Sequence, residues 1–211
     1  MASTQHRIPV WLKIAYTAFM AVLVPVYWVN YGPTNFLYFC DIALFFALVA
    51  IWTESRLLAS IPTVGIALPQ FLWCADFLCG LFGFSPLGMT AYMFEPERDL
   101  FLRGLSLFHG WLPFLLLYMV YKLGYDKTAF RAWWIIAWIA MFVAFFVMPK
   151  NADPNDINVP YNINYVYGLN EPQTWMSEWA WFAMMLLVIP VVFSYPTHLV
   201  LKRRKPRSAQ L

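Results

Sequence analysis

Six long apolar runs, each bounded by polar or turn-forming residues, organise this chain. They cover about 11–30, 36–52, 58–84, 105–123, 133–148 and 180–199. The first is entered through Arg7 and Lys13, and Tyr31-Gly-Pro-Thr34 makes a tight turn before Asn35 opens the second. Short polar stretches separate the next runs, then a charged interlude from Ser85 to Gly104, an Asn- and Pro-rich loop over 149–178, and a basic tail over 200–211. A crossing needs about 20 mostly apolar residues. The pattern therefore predicts an all-α integral membrane bundle of six transmembrane helices, one polytopic domain spanning 1–211. Prolines 25, 62, 69, 113, 190 and 196 fall within four of the runs, which fits kinked helices around a cavity.

Composition agrees with the pattern. Hydrophobic residues make up 62% of the 211 and charged residues 12%, against about 25% charged in soluble domains. Mean hydropathy is +0.59, which excludes a soluble globular protein. The net charge of +3 is no nucleic-acid signal, because five of the fourteen basic residues crowd the tail (Lys202, Arg203, Arg204, Lys205, Arg207). Membrane lipids are the expected partners, and homo-oligomerisation is left open. Counting loops alternately puts eleven basic residues on the side of the termini and three, Arg98, Arg103 and Lys150, on the other. Basic loops stay cytoplasmic, so both termini are expected in the cytoplasm of a multi-pass protein of the plasma (inner) membrane. The first ten residues lack a small-residue cleavage site, so the first run reads as a retained anchor.

Three ionisable groups interrupt the apolar runs: Asp41, Asp76 and His109. A charged side chain at bilayer depth costs roughly 2.5–3.5 kcal/mol on insertion scales, a cost that spanning alone does not require. With the expected topology they lie roughly 9, 12 and 6 Å below the outer boundary, at 1.5 Å per residue. All three fall in the outer half, and intramembrane charges face the bundle interior and one another. One polar pocket under the outer loops follows. On a continuous second helix Thr34, Tyr38 and Asp41 share a face and Cys40 is displaced by about a quarter turn. Trp73, Cys79 and Gly80 flank Asp76 while Cys74 points away, and Ser106 and Pro113 line the face of His109.

An Asp–His pair is the minimum set for general acid–base catalysis. His109 is the candidate base, Asp41 or Asp76 its orienting acid, and Tyr38, Cys40 and Thr34 the candidate nucleophiles. Arg103 stands near enough to pair with Asp41 or to meet an anionic head group, and with Trp73 and Ser106 it forms the candidate substrate-binding set. Two Asp and one His could hold a divalent ion, but no ligand pair sits at i, i+4, so neither a metal nor another cofactor is predicted. Cys40, Cys74 and Cys79 otherwise read as small buried hydrophobes. Asn151 to Leu169 has the length of a lid, Asp153-Pro-Asn-Asp156 resembles half a calcium loop, and Trp175, Trp179 and Trp181 read as an interfacial aromatic belt.

Tyr31-Gly-Pro-Thr-Asn-Phe-Leu-Tyr-Phe-Cys-Asp41 and His109-Gly-Trp-Leu-Pro-Phe114 together resemble the androgen-induced-gene family of multi-span hydrolases. Those enzymes act on fatty-acid esters of hydroxy fatty acids with a Thr–His pair. The resemblance covers about the first 115 residues. It implies a catalytic role for His109, places Asp41 at the family's Asp, and puts Tyr38 where the family has its Thr. The leading expectation is a membrane enzyme acting on a lipid ester or acyl lipid through the Asp/His pocket. The competing one is a non-catalytic subunit, scaffold or lipid-binding protein, in which the same three groups lock helices together. A proton-coupled transporter is disfavoured, since no ionisable residue lies in the cytoplasmic half of any span.

Overall fold

The computed structural model describes residues 7–169 and 171–203. These are helical: α1 (Val10–Tyr31), α2 (Phe39–Thr53), α3 (Arg56–Gly80), α4 (Leu100–Ser106), α5 (Phe108–Leu123), α6 (Ala129–Val147), α7 (Glu178–Val188) and α8 (Tyr195–Lys202). Five stretches are long and apolar enough to cross a membrane: α1, α3, Leu100–Leu123, α6 and Glu178–Lys202. α2 is a shorter apolar helix. Large apolar side chains such as Val29, Ile135, Phe146 and Val147 point outward, where lipid rather than water is their solvent. The chain is a multi-pass membrane protein.

α3 is the central helix and packs on α2, α5 and α6. Buried Ala43, Ala47, Ala50 and Ala59 let helix backbones approach closely. Gly65 takes this furthest. A Cβ there would run into the indole of Trp133, which is 1% exposed, so the bare backbone is what admits the ring.

Proline disrupts the helices locally, and side chains repair them. Pro190 has no N–H to give the carbonyl four residues back, and the chain opens into a π-turn over Ile189–Ser194. The freed carbonyl of Leu186 accepts from Trp138 Nε1 at 2.9 Å. Pro113 likewise frees the carbonyl of His109, which Cys74 Sγ approaches at 3.7 Å. Cys74 thus faces α5, away from the side of α3 on which Asp76 meets the 85–90 loop.

One end of the bundle gathers both described ends of the chain. Glu54 accepts from Lys13 Nζ (2.7 Å) and from the backbone N–H of Arg7 (3.0 Å) and Ile8 (3.3 Å). Arg56 pairs with Asp126 at 3.2 Å, and the Tyr125 hydroxyl meets His198 Nδ1 at 2.7 Å. Lys202 and Arg203 end the described chain there, while Arg204, Lys205 and Arg207 of the basic tail lie outside the described residues. The opposite end carries the connections 32–38, 81–99 and 148–177.

At that second end the helix expected from Asn35 is broken. Gly32 turns the chain (φ 77°) and Pro33–Leu37 winds into a 3₁₀ turn. Tyr38 is extended (ψ 139°), so α2 starts only at Phe39 and has 15 residues. The face that Thr34, Tyr38 and Asp41 would share on a continuous helix is therefore not formed. Asn164 docks on the break: its Oδ1 accepts the Phe39 N–H at 3.0 Å and its Nδ2 donates to the Leu37 carbonyl at 2.9 Å.

The second half of the Asn-rich segment is thus inserted into the bundle, while most of 151–157 stays exposed. Ile163 and Val166 are fully buried with Met141, Phe145 and Met185. Asn162, Asn164 and Tyr165 hold left-handed backbone (φ 43°, 57° and 63°), a region that asparagine tolerates better than most residues. Asn162 fixes the hairpin through the Gly168 carbonyl (2.9 Å) and the Tyr167 N–H (2.8 Å). Trp181 Nε1 donates to the Tyr165 carbonyl at 2.9 Å and is 5% exposed, which removes it from the expected belt. Trp175 and Trp179 remain exposed. Asp153 and Asp156 each cap their own turn, accepting from Asn155 N and Asn158 N.

Candidate functional site

His109 sits one residue into α5, just past the joint with α4. The joint follows from the imidazole itself. Its Nδ1 lies 2.7 Å from the Ser106 carbonyl, the acceptor that an uninterrupted helix would offer to the Gly110 N–H. Gly110 bonds instead to the Leu107 carbonyl at 2.9 Å. A carbonyl only accepts, so Nδ1 carries the proton, and in the neutral ring Nε2 keeps its lone pair. The ring is clamped between Trp73 (centroids 4.9 Å apart, 20°) and Phe108 (4.0 Å, 27°). The stack continues through Phe77 to Phe94.

Ser106 is the next link. Its Oγ donates to the Leu102 carbonyl at 3.1 Å, so its contact with the Tyr27 hydroxyl at 2.9 Å is one in which Tyr27 donates. The Tyr92 hydroxyl approaches both Ser106 and Trp73, while the Trp73 indole Nε1 keeps no hydrogen-bond acceptor. Tyr92 belongs to a short 3₁₀ turn, Ala91–Phe94, which roofs this wall.

Asp41 lies in the first turn of α2 and is 3% exposed. Oδ2 receives two long contacts, Asn35 Nδ2 at 3.4 Å and Cys40 Sγ at 3.7 Å, and Oδ1 has no partner. Tyr27 and Tyr31 lie within its electrostatic reach, and Tyr27 is the partner of Ser106 Oγ. Cys40 is similarly within reach of Tyr92 and Tyr165.

Asp76 has a different role. Its carboxylate accepts from Ser85 Oγ (2.7 Å), Leu87 N (2.8 Å), Thr90 N (3.0 Å) and Thr90 Oγ1 (2.8 Å). It pins the 85–90 loop onto the end of α3, with Oδ2 taking three of these bonds and Oδ1 one. Neither Asp76 nor Asp41 hydrogen-bonds the imidazole; the Ser106 carbonyl orients it instead.

The remaining candidates separate. Tyr38 caps the break before α2, and its hydroxyl donates to the Tyr161 carbonyl at 3.4 Å. Thr34 lies within the 3₁₀ turn, half-buried. Arg103 makes no ion pair with Asp41: its Nη1 donates to the Met93 carbonyl at 3.1 Å, and its buried Nε has no acceptor. Asp99 caps α4 through the N–H groups of Phe101 and Leu102. No group of three His, Cys, Asp or Glu side chains among the described residues is placed to hold a metal ion.

No protein-family model, no curated protein and no solved structure matches this chain. The likeness to the androgen-induced-gene family therefore rests on the residues quoted for it. Tyr27, Asn35, Tyr92 and Asn164 were not among the residues that spacing singled out. Tyr27 reads as one more aromatic in an apolar run. Tyr92 and Asn164 sit in connections whose approach to Ser106 and Phe39 has no local signature.

Proposed function

We propose that the chain is a six-span membrane enzyme with cytoplasmic termini, acting on a lipid ester or acyl lipid at the outer, connection-rich end of the bundle. The observation that carries this reading is the bond from His109 Nδ1 to the Ser106 carbonyl. It presets the tautomer in which Nε2 is a base, and the aromatic clamp holds the ring's plane.

Of the three candidate nucleophiles Cys40 is favoured. Its thiol stands in the first turn of α2, where the N-terminal N–H groups of a helix favour developing negative charge. Tyr38, which occupies the position of the family's Thr, has its hydroxyl committed to Tyr161. In the step proposed, Cys40 Sγ attacks the ester carbonyl and its proton passes to His109 Nε2. The C–O bond breaks, the alcohol leaves with that proton, and the thioester is then taken by water or an acceptor hydroxyl.

His109→Ala is expected to abolish turnover of a lipid ester at unchanged expression, and an unchanged rate would remove the catalytic role. The non-catalytic alternative draws support from Asp76, whose four accepted bonds are architectural. Similar large losses of melting temperature in Asp41→Asn, Asp76→Asn and His109→Gln would favour it.

A further inference from the structure

Three basic residues belong to the connection-rich end, and two of them have acids. Arg98 pairs with Glu95 at 3.2 Å and Lys150 pairs with Glu178. Arg103, on the last turn of α4, has no carboxylate partner among the described residues. Its Nη1 is anchored to the Met93 carbonyl at 3.1 Å, while Nε is buried with no acceptor. A buried guanidinium donor left unmade is unfavourable, and a planar fork with donors to spare matches carboxylate and phosphate oxyanions, of which phosphate is the one that membrane glycerophospholipids carry.

The surroundings place that oxyanion on the wall of the proposed site. Arg103 is tied to the Ala91–Phe94 turn, whose Tyr92 approaches Ser106 and whose Phe94 joins the ring stack leading to His109. Arg103 and His109 lie six positions apart on either side of the joint between α4 and α5. Leu100 and Phe101 beside it are exposed, so the helix turn that carries Arg103 borders lipid. Trp73, stacked on His109, has an indole Nε1 with no close acceptor, only the Tyr92 hydroxyl approaching it.

We infer that Arg103 seats the phosphate of a glycerophospholipid, with an ester carbonyl reaching the level of Trp73 Nε1 and His109 Nε2. The inference rests on the lipid-ester reading and narrows it from acyl lipids in general to phosphate-bearing ones.

The test uses the purified full chain in a neutral detergent, titrated with phosphatidylglycerol, with diacylglycerol of the same acyl chains, and with inorganic phosphate alone. Binding is read by melting temperature and by native mass spectrometry. Phosphatidylglycerol is expected to bind saturably, and diacylglycerol at least about tenfold more weakly. Arg103→Gln is expected to erase that difference, and Arg103→Lys, which keeps charge but loses Nε, to restore part of it. Equal binding of the two lipids by the native chain, readable whether or not the variants fold, overturns the inference. So does Arg103→Gln binding phosphatidylglycerol like the native chain. Arg103-dependent stabilisation by inorganic phosphate matching that by the lipid would identify a free-phosphate site and overturn the lipid assignment. His109→Ala separates the two readings. Retained phosphatidylglycerol binding with lost turnover supports both, whereas retained turnover removes the catalytic role of His109 and leaves the binding result to stand by itself.

Discussion

Replacing Asp76 by alanine should release the 85–90 loop from α3 before it touches any chemistry. The carboxylate is 1% exposed and accepts from two backbone N–H groups and two hydroxyls, all at 2.7–3.0 Å. The hydroxyls can rotate to other acceptors, but the N–H groups of Leu87 and Thr90 cannot. An orphaned buried donor costs about 1–3 kcal/mol, and since only the Thr90 N–H is fully buried while that of Leu87 is partly so, the two together amount to roughly 2–4 kcal/mol. In a chain of this size that lowers the melting temperature by roughly 4–16 °C. Asp76→Asn keeps one acceptor oxygen and turns an NH₂ toward existing donors, so it should lose about 1–3 kcal/mol. Thermal unfolding in detergent, followed by tryptophan fluorescence, measures both variants. Lipid-ester turnover is then compared per folded molecule. Native-like melting of Asp76→Asn together with lost turnover would refute the structural account and return Asp76 to the catalytic set.

Asn164→Ala should destabilise by about 2–5 kcal/mol, from the orphaned Phe39 N–H and Leu37 carbonyl and from a left-handed φ that alanine resists. Asn164→Gly should recover the conformational part alone, and equal melting of both variants would refute that partition. Gly65→Ala should lower stability by about 1–3 kcal/mol through overpacking against Trp133, with Gly65→Ala/Trp133→Phe recovering part of it; a native-like melting temperature in the single variant would refute the contact. Stability should also fall on acidification at the end holding Glu54 and Asp126. Burial raises the Glu54 pKa, but hydrogen bonds from Lys13, Arg7 and Ile8 outweigh it and hold the pKa below the ordinary 4.5. Hydrogen bonds from Thr128 lower that of Asp126 below 3.8, with Arg56 adding to them. A lowered folded-state value means stability present above the ordinary pKa and lost as pH falls through the folded one. Melting temperature should thus hold near pH 6 and decline below about pH 4.5, less so in Glu54→Gln. An unchanged acid limb in Glu54→Gln/Asp126→Asn would count against these groups.

Much of the architecture is legible residue by residue. An apolar run long enough to cross a bilayer must satisfy its backbone internally, and helix is the local way to do so. The runs and their polar boundaries therefore locate the helices without any knowledge of neighbours. The three interrupting ionisable groups are legible for the same reason, since charge at that depth requires a partner. Which partner is decided by tertiary structure. His109 takes a carbonyl of its own chain and breaks the helix that a regular 3.6 period would continue. Asp76 is absorbed by a loop nine to fourteen residues downstream, and Asp41 keeps an unmatched oxygen. The second run shows the limit most clearly. Its residues are apolar enough for a full helix from Asn35, yet the first turns are given up to a 3₁₀ turn capped by Asn164, 125 positions away from Phe39. Hydropathy is a property of each residue and is read locally, whereas the acceptor that satisfies a buried donor is chosen by the packing of distant segments.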